Sequence, residues 1–166
     1  ANDAPQGGDY TFVTVEDTAL TVAVLANDID IDGDTLTITQ VDGQALVAGG
    51  APVGVANGTV QLTVGGDLVF TPGANYAGAV SFTYTVDDGS GTANATTTAT
   101  VTGTVSAVND APSAGDDGPV ALVEDTIATG TVLTNDSDAD GDALTVTGFT
   151  VPGLTGPGAG GSFGPG

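Results

Sequence analysis

The sequence predicts an all-β fold made of tandem Greek-key β-sandwich repeats, the second of which is incomplete. Two observations support this prediction: apolar and polar residues alternate along several runs, and a block of sequence recurs after about 108 residues. Alternation with β-branched residues on the polar face is typical of half-buried antiparallel strands. A repeat of this length has about the size of one immunoglobulin-like sandwich.

The strand pattern is clearest at residues 79–86, where Phe82, Tyr84 and Val86 share one face. Glycine and proline residues separate the runs, and no stretch has a helical pattern. In the first repeat we predict seven strands, at residues 10–15, 19–26, 35–41, 59–63, 67–71, 79–86 and 95–106. Residues 44–56 are predicted to form either a loose edge strand or a loop. In the second repeat we predict strands near residues 119–123, 127–134 and 143–150, before a Gly/Pro-rich tail at 152–166.

The repeat divides the chain into two predicted domains. Asn2-Asp3-Ala4-Pro5 recurs as Asn109-Asp110-Ala111-Pro112, and Glu16-Asp17-Thr18 recurs as Glu124-Asp125-Thr126. We predict a complete sandwich at residues 1–108 and the first half of a second one at 109–166. Because half a sandwich exposes an apolar face and open strand edges, we expect further chain or a neighbouring subunit to complete it by strand addition.

Composition limits the possible functions. The chain has no Lys, Arg or His and carries a net charge of −21, which argues against nucleic-acid and anionic-membrane partners. It has no Cys for disulfides or thiol metal sites and no apolar run long enough to span a membrane. Acid–base and nucleophilic chemistry would be restricted to carboxylates and hydroxyls. We therefore predict that the protein is not an enzyme.

Nearly all the acidic residues are aspartates, since only Glu16 and Glu124 are glutamates. Short aspartate side chains suit metal ligation and turns. Halophilic adaptation is an alternative explanation for the acidity, but it does not explain why the aspartates cluster.

The densest cluster is Asp28-Ile29-Asp30-Ile31-Asp32-Gly33-Asp34, which recurs as Asp136-Ser137-Asp138-Ala139-Asp140-Gly141-Asp142. Two carboxylates about 5 Å apart repel by roughly 3 kcal/mol at an effective dielectric constant of about 20. The run is therefore either a solvated turn or closed around a cation. Its spacing matches the first half of an EF-hand calcium loop, although position twelve is Thr39 or Thr147 instead of Glu. We predict Ca²⁺ ligation on a different scaffold.

Several motifs resemble cadherin-type domains. They are the linker Asn109-Asp110-Ala111-Pro112, Val15-Glu16-Asp17, Asp138-Ala139-Asp140 and Tyr84-Thr85-Val86-Asp87-Asp88-Gly89. Residues 16–37 most resemble the bacterial cadherin-like and VCBS-type repeats of large secreted (RTX-type) adhesins. Ala111 stands where cadherins usually have a second Asn, and a D-R-E motif is missing.

The resemblance implies one Ca²⁺ site between the repeats and an equivalent half-site at the start of the chain. The first would use Glu16, Asn109 through its backbone carbonyl, and Asp110, together with residues of the second acidic run: Asp136, Asp138, Asp140 and Asp142. The half-site would use Asp3, Asp28, Asp30, Asp32, Asp34 and Asp88. Glu124 would serve a following linker.

We expect a calcium-stiffened spacer repeat of a bacterial adhesin or biofilm-matrix protein, located outside the cell or on the cell surface. Its partners would be neighbouring repeats or identical subunits, and the sequence does not identify a receptor. The alternative is a self-assembling subunit of an extracellular filament, sheath or surface layer. A carbohydrate-binding module would need exposed aromatic residues, whereas Phe70, Tyr76 and Phe82 are predicted to lie in the core.

Overall fold

The computed structural model describes residues 2–118, 130–150 and 160–162. The chain forms two compact units, Ala1–Val108 and Asn109–Gly166, and each unit is described separately. Within the described residues, no helix is both long enough and apolar enough to cross a membrane.

Short β-strands make up the first unit. In chain order they are β1 (Tyr10–Val15), β2 (Leu20–Val22), β3 (Thr37–Val41), β4 (Gln44–Ala45), β5 (Val53–Val55), β6 (Gly58–Leu62), β7 (Leu68–Pro72), β8 (Gly78–Asp87) and β9 (Thr96–Ser106).

Two sheets form the sandwich of the first unit. One has the strand order β1-β9-β8-β3-β4 and the other has the order β2-β7-β6-β5. Strand β1 runs parallel to β9, whereas the other neighbouring strands in both sheets are antiparallel. The predicted all-β sandwich is therefore confirmed.

Apolar side chains from both sheets meet between them. The rings of Phe12 and Phe70 lie 5.3 Å apart, and those of Phe70 and Phe82 lie 6.0 Å apart. Phe70, Phe82 and Tyr84 are buried, as their alternating positions predict, whereas Tyr76 is only partly buried against this core. Full burial of each large apolar side chain stabilises the fold by about 1.5–3 kcal/mol.

The strand prediction is wrong at the ends of two elements. Residues 19–26, predicted as one strand, form β2 followed by a short 3-10 helix, Val24–Asn27, so the prediction of no helix is also wrong. The predicted strand at 35–41 begins only at Thr37. Its first residues follow the acidic loop, where the N–H of Asp34 is bonded to the side chain of Asp30 instead of to a neighbouring strand.

The ambiguous segment 44–56 contains the short strands β4 and β5 with a turn between them. In the second unit, β10 (Gly148–Thr150) pairs with β11 (Gly160–Ser162), and the latter lies in the tail, where no strand was predicted. Residues 130–134 and 143–147, predicted as strand, are not strand. The predicted strand at 119–123 and the start of the one at 127–134 lie outside the described residues.

Candidate cation site

The acidic loop at residues 28–34 follows the 3-10 helix and turns tightly on itself. Oδ1 of Asp30 accepts hydrogen bonds from the backbone N–H groups of Asp32 (2.9 Å) and Asp34 (3.2 Å). The turn is completed by Gly33, whose φ of +81° is readily adopted only by glycine. The loop therefore folds around the carboxylate of Asp30.

This fold brings three negative charges together. Asp30, Asp32 and Asp34 each have a carboxylate oxygen within 4.8 Å of the others. Oδ2 of Asp30 is buried and has no hydrogen-bond partner among the described residues. A buried polar atom without a partner costs about 1–3 kcal/mol, and more when it is charged. Because the chain contains no Lys, Arg or His, the oxygens that converge here suit a hard divalent cation such as Ca²⁺.

Residues 2–9, hereafter the N-terminal segment, lie along the acidic loop. The backbone N–H of Asp3 donates to Oδ2 of Asp32 at 2.7 Å. Gln6 and Ile29 form a two-way backbone pair with N–O distances of 2.8 and 3.0 Å. The segment is therefore bonded to both the backbone and a carboxylate of the loop.

Asp88, at the end of β8, is joined to the same segment. It is only 5% exposed; its Oδ2 accepts from Nδ2 of Asn2 (3.0 Å) and its Oδ1 from the N–H of Ser90 (2.8 Å). The hydrogen bond from Asn2 lowers the pKa of Asp88, and the bonds from Ser90 act in the same direction. The side chain of Asn94 donates to the carbonyl of Asn2 at 2.6 Å, so the loop after β8 holds the start of the segment.

Asp28 has different surroundings from the other loop aspartates. It is buried, and its Oδ1 accepts from the N–H of Gly8 at 2.6 Å. The hydroxyl of Tyr84 lies 2.9 and 3.0 Å from the two carboxylate oxygens and 3.0 Å from the carbonyl of Gly8. Burial raises the pKa of Tyr84, and the hydrogen bond to Asp28 raises it further. The carboxylate of Asp28 is thus engaged in a protein hydrogen-bond network apart from the three clustered carboxylates.

The second unit repeats this local geometry. Oδ1 of Asp138 accepts from the N–H groups of Asp140 (3.0 Å) and Asp142 (3.2 Å). The N–H of Asp110 donates to Asp140 Oδ2 at 2.6 Å, as Asp3 does to Asp32. Asp136 accepts from the N–H of Gly115 at 2.8 Å. Each of these bonds has a counterpart in the first unit. The acidic loop and the segment beside it are therefore a structural feature that both units share.

Two further predicted ligands have other identified contacts. Glu16, at the end of β1, is buried, and its Oε1 accepts from the N–H of Val108 at 2.5 Å. The side chain of Asn109 donates to the carbonyl of Asp110 at 2.8 Å. Glu124 lies outside the described residues.

Sequence reasoning missed Asn2, Gly8 and Tyr84. The signals were present: Asn2 and Gly8 recur as Asn109 and Gly115, and a buried tyrosine usually needs a partner for its hydroxyl. The partner of Asn2 is 86 residues away in sequence, so the repeat alone does not identify it. The partner of Tyr84 is 56 residues away in sequence, so only the fold could identify it.

Comparison with known families gives a match over both units. The family described as bacterial Ig domain matches residues 2–104 and again residues 109–163. A comparison with curated proteins finds no match.

Proposed function

Because the chain belongs to the bacterial Ig domain family, we propose that it is a non-catalytic, calcium-stiffened repeat of an extracellular bacterial adhesin or biofilm-matrix protein. The family suggests an extracellular structural or adhesion-type repeat and is typically non-catalytic. The cadherin-like and VCBS-type resemblance of residues 16–37 favours the calcium-dependent form of such a repeat.

The observation that carries the calcium proposal is the buried, unpartnered Oδ2 of Asp30 beside Asp32 and Asp34. Asp30, Asp32 and Asp34 would hold the cation in the first unit, and Asp138, Asp140 and Asp142 would hold it in the second. A bound Ca²⁺ would supply the positive charge that the chain lacks and take six to eight oxygen ligands. Asp3, whose N–H is bonded to Asp32, and Asp88, which is bonded to Asn2, would be further ligands, and the part predicted for Glu16 also stays a prediction.

The array of repeats would be stiffened because each acidic loop holds the chain segment beside it in place. Strand β9 ends at Ser106, and the N–H of Asp110 is already bonded to the second acidic loop. A cation on this loop would strengthen its hold on the segment that begins at Asn109. Only a few residues between β9 and the loop would then remain free to rotate. An array of such repeats would stiffen where calcium is abundant and stay pliable where it is scarce.

The test compares thermal unfolding and calcium binding of the full chain in CaCl₂ and in EDTA. We expect Ca²⁺ to raise the melting temperature, because binding only to the folded state stabilises it. Asp30→Asn and Asp138→Asn should each reduce the calcium-induced shift, since each removes a carboxylate from one loop. Asp117→Asn is the matched control, because Asp117 is an exposed aspartate outside both loops. An identical melting temperature with and without calcium would overturn the proposal.

One observation favours the alternative function as a filament subunit: β1 is an uncharged edge strand with an exposed apolar side chain. This strand lies at the edge of its sheet and contains no charged residue, and its Val13 side chain is 73% exposed. Uncharged, apolar edge strands are templates for pairing with another chain. A self-assembling subunit of a filament, sheath or surface layer would use such an edge for strand addition.

A further inference from the structure

We propose that Tyr84 is a positioning residue for the acidic loop of the first unit, acting through Asp28. This inference rests on the proposed calcium function of that loop. Tyr84 would not touch the cation. Its hydroxyl would fix the two chain segments whose relative placement determines how the carboxylates converge.

Tyr84 contacts Asp28 directly from within the core. Tyr84 lies within β8, and its side chain is fully buried among the core residues. Its hydroxyl lies 2.9 and 3.0 Å from the oxygens of Asp28. Hydrogen bonds to a carboxylate are stronger than those between neutral groups, and the ring cannot shift without disturbing a close-packed core. Tyr84 thus provides a rigid anchor for the start of the loop.

Asp28 is connected through the backbone to the three clustered carboxylates. Asp28 precedes Asp30 by two residues, and Asp30 carries the unpartnered oxygen. A displacement of Asp28 would therefore be passed directly along the backbone to Asp30. No other hydroxyl reaches Asp28 among the residues that the structure describes.

The N-terminal segment is held at the same place, through Gly8. Gly8 donates to Asp28 at 2.6 Å, and its carbonyl lies 3.0 Å from the Tyr84 hydroxyl. A Cβ at Gly8 would lie 2.6 Å from Nδ2 of Asn27, so the segment also packs closely against Asn27. The same segment delivers the N–H of Asp3 to Asp32. One hydroxyl therefore orders both the loop and the strip of chain bonded to it.

The second unit provides an internal comparison. Its loop has the equivalent bond from Gly115 to Asp136. Among the side chains described in residues 109–118 and 130–148, however, no hydroxyl is bonded to Asp136. Tyr84 should therefore influence calcium binding at the first loop and leave the second unchanged.

The experiment measures calcium affinity of the full chain by titration calorimetry with CaCl₂ as the probe. Tyr84→Phe is introduced into an Asp138→Asn background, which disables the second loop, so that the first loop is observed alone. We expect affinity to fall about tenfold, the lower end of the effect of removing an outer-shell partner of a metal ligand. Tyr76→Phe is the matched control, because it also removes a bonded hydroxyl, which donates to the carbonyl of Ala79 at 2.6 Å. Tyr76 lies just before β8 begins, whereas Asp88, which is bonded to the N-terminal segment, lies just after β8 ends.

Titrations are run at a temperature where circular dichroism shows every variant folded. If Tyr84→Phe is not folded at any temperature, Asp28→Asn, which keeps the shape but removes the charge, takes its place with the same expected loss. Equal calcium affinities for the Tyr84 and Tyr76 variants would overturn this inference but not the proposed function. If Asp28→Asn is used instead, a calcium affinity equal to that of its parent would have the same meaning. Absence of calcium binding by the unmodified chain would overturn the proposed function and this inference with it.

Discussion

At the scale of single residues, hydrogen bonding decides how each aspartate behaves. Asp88 accepts from Asn2 and Ser90, whereas Oδ2 of Asp30 accepts from none of the described residues. Both side chains belong to the same residue type and lie in a chain without a basic group. The difference arises because the protein supplies N–H donors to both oxygens of Asp88 and none of the described residues supplies one to Oδ2 of Asp30.

The lowered pKa of Asp88 predicts a pH-dependent contribution to stability. Since its folded-state pKa lies below the unfolded value of about 3.9, the carboxylate stabilises the fold above that value, and this stabilisation is lost as pH falls through the folded-state pKa. Asp88→Asn should lower the melting temperature near neutral pH in calcium-free buffer, because an amide would face Asn2. The difference from the parent should shrink below about pH 4.

Thermal unfolding followed by circular dichroism across this pH range checks the prediction. Asp117→Asn removes the same charge from an exposed position and should change the melting temperature little. A difference between the Asp88 variant and the parent that stays constant with pH would contradict the assigned role.

At the scale of elements, the parallel pairing of β1 with β9 depends on a missing side chain. Gly103 of β9 lies opposite Phe12 of β1, and a Cβ at Gly103 would lie 2.4 Å from the Phe12 ring. Phe12 in turn packs against Phe70 of the other sheet. The glycine therefore allows an aromatic ring of an edge strand to fill the core.

Gly103→Ala should destabilise the first unit by about 1–3 kcal/mol, the usual cost of overpacking a core. Denaturant unfolding measures the change in free energy. The control is Gly54→Ala in edge strand β5, where an added Cβ meets no atom within 4 Å; it should change stability little. Equal stability of the two variants would show that the Phe12 ring moves aside without cost.

Sequence periodicity was sufficient for β8, which is paired on both sides within its sheet. The alternation in residues 79–86 correctly placed Phe82, Tyr84 and Val86 in the core. Residues 143–147 show the same kind of pattern and are not strand. In the first unit, the corresponding stretch leads into β3, which pairs with the sequence-distant strand β8. Because a strand is defined by its pairing, the pattern alone could not decide this.

The cluster of carboxylates in the acidic loop was predictable because its members are close in sequence. Asp30, Asp32 and Asp34 are brought together by a local turn around Gly33, and spacing alone indicated this. The contacts of Asp28 and Asp88 depend on Tyr84 and Asn2, which come from distant parts of the chain. Their assignment therefore needed the fold.

At the scale of the whole molecule, the large negative charge opposes self-association through the uncharged edge strand β1. Copies that carry −21 each repel one another, and this repulsion is screened over about 10 Å at 0.1 M salt. Apolar edge pairing is screened much less, because it depends on backbone hydrogen bonds and burial. If β1 supports assembly between copies, self-association should increase as NaCl is raised in calcium-free buffer.

Sedimentation velocity over a range of protein and salt concentrations measures this self-association. Val13→Lys places a charge on the exposed face of β1 and should abolish association, because charged side chains protect sheet edges. Val47→Lys adds the same charge at a residue that is 72% exposed but lies outside any strand, so association should persist. A parent chain that stays monomeric at every salt concentration would remove the support for a self-assembling subunit and leave the spacer repeat as the function that the molecule favours.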